Sequence, residues 1–194
     1  MYPGTLEEPA MNKILRTTVL MAALFLNPAW SDQNAPALDG LFDRLLSPET
    51  SQAEARAVTA RIWNHWLASD NPRARRLMAL GIRSMNQFAL DEAAQIFTDL
   101  IDIAPDFAEA WNKRATVLYM MGKYDQSTAD VRETLRLEPR HFGALSGQGL
   151  IYMETGKQAE ALHWFRRALE VNPFMEGVQQ NVKLLEDALE GRVI

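Results

Sequence analysis

The sequence contains no cysteine. That absence excludes a disulfide framework, a thiolate zinc site, a thiol nucleophile and a cysteine for acylation, so no lipid anchor is expected. Histidine is scarce as well. His65, His141 and His163 fall in three separate helical units with no spaced carboxylate or second histidine, so neither a metal site nor a general base takes shape. No catalytic residue, no metal and no cofactor is therefore expected. Basic charge is not in excess: 20 Lys plus Arg stand against 25 Asp plus Glu, a net charge of −5, which makes nucleic acid a poor partner. The apolar run at 17–26 is far short of the roughly 20 residues a spanning helix needs. A glycine-rich stretch, Gly143-Ala144-Leu145-Ser146-Gly147-Gln148-Gly149, lacks both a preceding strand and a following Gly-Lys-Ser/Thr, so it is not a phosphate loop.

The first residues read as a leader, 1–31. Within it Lys13 and Arg16 precede the apolar run, Asn27 and Pro28 stop it, and Ala29-Trp30-Ser31 supplies a small-residue cleavage site. These are the parts of a secretory signal from about residue 11, with cleavage after Ser31 and export to a periplasmic space. Met11 is then the expected translation start, because Glu7 and Glu8 spoil the basic flank. With the signal removed, no membrane span is expected.

Beyond the leader the chain repeats itself. Pro105, Pro139 and Pro173 are spaced by 34 residues; so are Leu77, Trp111 and Leu145, Gly81, Ala115 and Gly149, and Phe97, Val131 and Phe165. Gly122 recurs as Gly156. Within the unit Trp111, Ala115 and Leu118 share one side of a helix, and Ser127, Val131 and Thr134 share one side of the next. Met121-Gly122-Lys123 separates them, glycine suiting a helix end that needs a left-handed residue, and the prolines close one hairpin and open another. A fixed period in this range marks stacked helix pairs, each covering the apolar face of its neighbour.

On these residues the chain resembles the tetratricopeptide repeat family. The match is best where Gly149, Tyr152, Ala161, Phe165, Ala168 and Pro173 fall in the family's register. The resemblance implies an all-α fold, a right-handed superhelical stack of antiparallel helix pairs, with repeats at 74–107, 108–141 and 142–175. Arg114, and Gln148 in the next repeat, stand where the family buries an aliphatic side chain. A buried guanidinium needs an anion, and Asp99, Asp102 and Asp130 on second helices are the candidates.

Flanking segments complete the reading. Residues 32–37 form a flexible lead-in. Leu38, Leu41, Phe42, Leu45 and Leu46, then Ile62, Trp63, Trp66 and Leu67, predict a helical pair over 38–71 that acts as an N-terminal cap or a degenerate repeat covering the first face of the stack. Met175, Val178, Val182, Leu185 and Leu189 predict a closing helix over 176–190.

If Trp111, Ala115 and Leu118 point into the hairpin, then Glu109, Asn112, Thr116, Tyr119 and Met120 point the other way. Their counterparts are Arg75, Met78, Ile82, Met85 and Asn86 before, and Gly143, Ser146, Leu150, Met153 and Glu154 after. The resemblance implies that this set lines a concave groove holding a peptide or helix of another protein. Met78, Asn112 and Ser146 do not supply the cations of the family's carboxylate clamp. Met78, Met85, Met120 and Met153 instead predict an adaptable apolar surface for an amphipathic helix or extended apolar segment. The expected function is a non-enzymatic interaction scaffold. The alternative is a structural module whose groove is filled by its own N-terminal segment and which assembles by its edges.

Overall fold

The computed structural model describes residues 37–191, so the leader, its cleavage site and nearly all of the lead-in lie outside the described residues. The chain order is α1 (Ala37–Leu46), α2 (Gln52–Leu67), α3 (Pro72–Asn86), α4 (Leu90–Ile103), α5 (Ala108–Met120), α6 (Tyr124–Leu137), α7 (Phe142–Glu154), α8 (Gln158–Val171) and α9 (Glu176–Leu189), with no strand among the described residues. Local chemistry sets the ends. Ser51 accepts the Glu54 N–H at the start of α2, and Asn71 accepts the Arg73 and Ala74 N–H groups at the start of α3, where Pro72 needs no acceptor.

Three helix pairs, α3 with α4, α5 with α6 and α7 with α8, form the stack. Their close approach is set by complementary volumes. A methyl group on Gly81 would come within 2.6 Å of the Phe97 ring, and one on Gly149 within 2.6 Å of Phe165. The middle pair solves the same contact with Ala115 and Val131, both buried. Ser127, buried beside them, donates its hydroxyl to the Ala115 carbonyl at 2.7 Å, which removes the cost of a polar group there. Each turn repeats one helix-ending geometry, in which the Ala89, Lys123 and Lys157 N–H groups reach back to the Ser84, Leu118 and Tyr152 carbonyls at 2.8–2.9 Å.

The two ends of the stack are finished differently from its middle. On α3, Arg76 and Arg83 are exposed at the positions where the later repeats bury Ala110 and Ala144, or Val117 and Ile151. Desolvating two unpaired guanidinium groups would be costly, and none of the described helices packs there. At the other end α9 stands where a fourth pair would begin, burying Val178 and Leu185 against α8. Exposed Lys183 occupies the place of Gly81, Ala115 and Gly149, so α9 lacks the small residue a partner helix needs.

The N-terminal pair departs from the expected end cap. Leu38, Leu41, Phe42 and Leu45 of α1 pack on Ala55, Val58, Ile62 and Trp66 of α2, but this cluster closes onto Phe142, Val171, Phe174 and Met175, at the far side of the molecule from the outer face of α3. Polar links hold it there: Arg140 Nη1 to Asp39 at 2.8 Å, Arg56 to Glu176 at 2.9 Å, and Asn172 Nδ2 donating to Thr59 at 3.3 Å. The physical reason is the arginine-rich face of α3, which gives the apolar side of α2 nothing to bury against. The pair therefore lies across the inner surface, over the starts of α5 and α7.

Candidate functional site

The inner surface divides into a part that the chain covers itself and a part left open. Under α2, His141 caps α7: its Nδ1 accepts the Ala144 N–H at 3.1 Å, so the ring proton sits on Nε2, which donates to Glu109 Oε2 at 2.8 Å. Asn112 donates to the same Glu109 oxygen at 3.0 Å, and Lys113 Nζ lies 3.0 Å from the other. Both Glu109 and His141 are fully buried. Burial alone would raise the Glu109 carboxyl, but the His141 hydrogen bond and the Lys113 charge outweigh it and hold it below the ordinary carboxylate range. Trp66 seals this cluster by stacking on His141, and Trp63 meets Phe142 edge-on with its ring centroid 5.4 Å away.

Beside Trp63 the surface opens into a pocket of about 770 Å³. Its walls come from Thr59, Ala60 and Trp63 of α2, Phe142 and Leu150 of α7, and Phe174 before α9. Arg56 and Glu176 stand at the rim. A smaller hollow of about 140 Å³, with Thr116 and Tyr119 in its lining, shares Ser146 and Leu150 with it. The open surface is thus a channel between α2, α7 and α9, continued by the smaller hollow toward α5.

Several residues expected in the groove are elsewhere. Glu109 is fully buried in the His141 cluster, and Asn112, 6% exposed, donates to it while lining the smaller hollow beside Thr116 and Tyr119. Met78 is buried among Phe97, Phe107 and Ala110, because neighbouring first helices close over the position between them. Ile82 and Met85 pack on that cluster and Met153 on the one around Phe165, which leaves Met120, 38% exposed, as the freely presented methionine of the four. A methionine-lined face is therefore not what the fold builds. Arg75 is exposed but donates to the Ser69 carbonyl at 2.7 Å, and Asn86 ends α3; neither lines the channel. Gly143 lines the smaller hollow and lies under Trp63, whose ring would stand 2.7 Å from a methyl group added there. Thr116, Tyr119, Ser146 and Leu150 do line the channel, with the Tyr119 hydroxyl donating to Glu154 at 3.2 Å. The wall from α2 corresponds in part to the alternative of a groove filled by the chain's own N-terminal segment; the wall from Phe174 was not foreseen.

Arg114 meets its expected partner. Its Nε and Nη2 donate to the two Asp130 oxygens at 2.7 and 2.8 Å, and Nη1 donates to Thr98 at 3.1 Å.

Among known proteins, the tetratricopeptide repeat profile matches residues 112–176. A TPR repeat-containing protein of Rhizobium etli is 32% identical over 154 residues, covering 79% of this chain and 75% of that one. The chain belongs to the tetratricopeptide repeat family. The fold is shared with more distant members. The first TPR of Spaghetti (RPAP3), solved with an HSP90 peptide, superposes with a TM-score of 0.59 at 23% identity, over 62% of this chain and 96% of that one. The Yersinia enterocolitica type III secretion chaperone SycD, solved with a peptide of the translocator YopD, gives 0.55 at 15% identity, over 60% and 92%. TPR proteins generally mediate protein–protein interactions, and these two neighbours hold peptides. In this TPR protein the pair α1–α2 occupies the part of the inner surface nearest the starts of α5 and α7.

Proposed function

We propose that this TPR protein is a non-enzymatic scaffold that takes an apolar or amphipathic segment of another protein into the channel between α2, α7 and α9. The observation that carries this reading is the pocket itself: about 770 Å³, walled by Trp63, Phe142, Phe165 and Phe174, with Arg56, Gln180 and Asn181 around it. Aromatic walls with a polar rim are what a buried apolar anchor requires. No lysine lines the pocket, so an acidic tail finds no clamp there. The self-filled alternative is favoured for one region only, where Trp66 and His141 close the surface over Glu109. The scaffold thus carries a shortened groove with one wall made by its own N-terminal pair.

The basic start, apolar centre and small-residue site at 11–31 support an exported protein acting in the cell envelope. N-terminal sequencing of the protein from its native compartment tests that; an intact 11–31 segment on cytoplasmic material overturns it. Selection from a display library of random peptides tests the groove. Enriched sequences are expected to carry apolar residues at helical spacing. Their binding should be lost in Ala60→Glu, at the channel wall, and kept in Arg132→Glu, on exposed α6. Enrichment of acidic C-terminal tails, or binding indifferent to Ala60→Glu, overturns the assignment.

A further inference from the structure

Phe88 stands in the left-handed region, φ 59°, at the turn between α3 and α4. Its counterparts by the repeat are Gly122 and Gly156, both at φ 72°. A phenylalanine is strained in that region and glycine is not, so local energetics favour the residue the sister repeats carry. Nor does packing compensate. The side chain is 75% exposed, the most exposed large apolar residue among those described. A strained aromatic held out into solvent has a use outside its own fold.

The same molecule carries a hole of matching chemistry. The channel pocket is walled by four aromatic rings, and no residue of α3 or α4 lines it. We propose that Phe88 of one copy inserts into this pocket of a second copy, joining molecules head to tail. Charge favours that pairing over an arbitrary apolar partner. Exposed Asp91 and Glu92 follow Phe88, and at the pocket mouth Arg56, 71% exposed, is held only by a surface ion pair with Glu176, weak enough to be exchanged for the acidic pair of a second copy. Knob and hole are different surfaces. Every copy that receives a ring still presents its own, and the contact propagates unless it closes into a ring.

This inference rests on the pocket of the proposed function, and its test keeps the two apart. Sedimentation velocity over a dilution series of the protein as recovered from the cell is expected to show mass rising with concentration in multiples of one chain. Phe88→Gly, which restores the sister-repeat residue and should melt higher, is expected to stay at one copy. Ala60→Glu, blocking the hole, should do the same. Mixed in equal amounts, the two variants should form a two-copy species and nothing larger, because one retains only the hole and the other only the knob. A single-copy mass for the unaltered protein at every concentration, unchanged association in Phe88→Gly, or no two-copy species in the mixture overturns the proposal. Library-selected peptides should still bind Phe88→Gly. Peptide binding without self-association sinks this inference alone; peptide binding indifferent to Ala60→Glu sinks the pocket.

Discussion

The Trp66 indole lies flat on the His141 imidazole, ring centroids 4.1 Å apart and planes 12° from parallel. With the Trp63–Phe142 and Arg140–Asp39 contacts, it joins the N-terminal pair to the start of the third repeat. Trp66 is 1% exposed, so Trp66→Ala removes a buried aromatic at a cost of about 3–5 kcal/mol. The loss should be uneven. Hydrogen exchange is expected to speed up throughout α1 and α2 and at the His141 cap, with α4 and α6 protected as before; uniform deprotection would show that the pair and the repeats are one unit.

Beneath that stack, Glu109 makes stability depend on acidity. Its folded-state carboxyl lies below the ordinary range, whereas an unfolded glutamate titrates near about 4.3. The contribution is therefore present above the unfolded value and is lost as pH falls through the folded one. Thermal melts between neutral and acid pH should show the unaltered protein losing more stability below about pH 4.3 than Glu109→Gln does. At neutral pH Glu109→Ala, which strands Lys113 and the His141 donor, should cost about 3–5 kcal/mol.

Arg114 and Asp130 form a two-pronged pair with the carboxylate 6% exposed and the guanidinium 20% exposed. Removing one member of a buried pair strands the other at a cost of about 3–5 kcal/mol, so Arg114→Met should lower stability by up to that amount in urea titrations. Adding Asp130→Ala should recover much of the loss, since an unpaired buried carboxylate, not a missing contact, is what the single change leaves behind. Equal melting of Arg114→Met and the unaltered protein would show the pair to be dispensable.

Gly149→Ala tests the close approach of α7 and α8. A better helix former enters, worth about 1 kcal/mol, yet its methyl group would stand 2.6 Å from Phe165, and overpacking of that kind costs about 1–3 kcal/mol. Net destabilisation is expected. Combining it with Phe165→Val reproduces the Ala115–Val131 pairing, and a double-mutant cycle should return a favourable coupling between the two changes.

Most of the stack was legible because it is local and periodic. The Gly81–Phe97, Ala115–Val131 and Gly149–Phe165 contacts follow from spacing, as does the Asn71-Pro72 start of α3, and the need to compensate a half-buried charge narrowed the partner of Arg114 to three aspartates, of which the fold brings up Asp130. The groove was less legible. Met78 is the repeat counterpart of Ser146, which does line the channel, but the neighbouring first helix covers it, which a single helix's periodicity cannot reveal. Glu109 was lost to the site for a longer-range reason: α2 settles on it from a position fixed by no register. The hint lay in Arg76 and Arg83, which replace alanine and aliphatic residues of the later repeats and so bar the end of the stack where an N-terminal pair would be expected.

The crossing of α2 also changes how the chain can come apart. A linear array of repeats frays from its ends, since each unit touches only its neighbours. Here the first helices are tied to the last three, through Phe42 on Trp66 and Trp66 on Phe142, Asn172 on Thr59 and Glu176 on Arg56. Both termini are thereby held by the same set of contacts. Contacts of such sequence separation slow folding, because the loop must close before they reward it. Once made, they tie the N-terminal pair to the C-terminal side of the array and leave α3, whose outer face carries exposed Arg76 and Arg83, as the end from which the repeats can unzip.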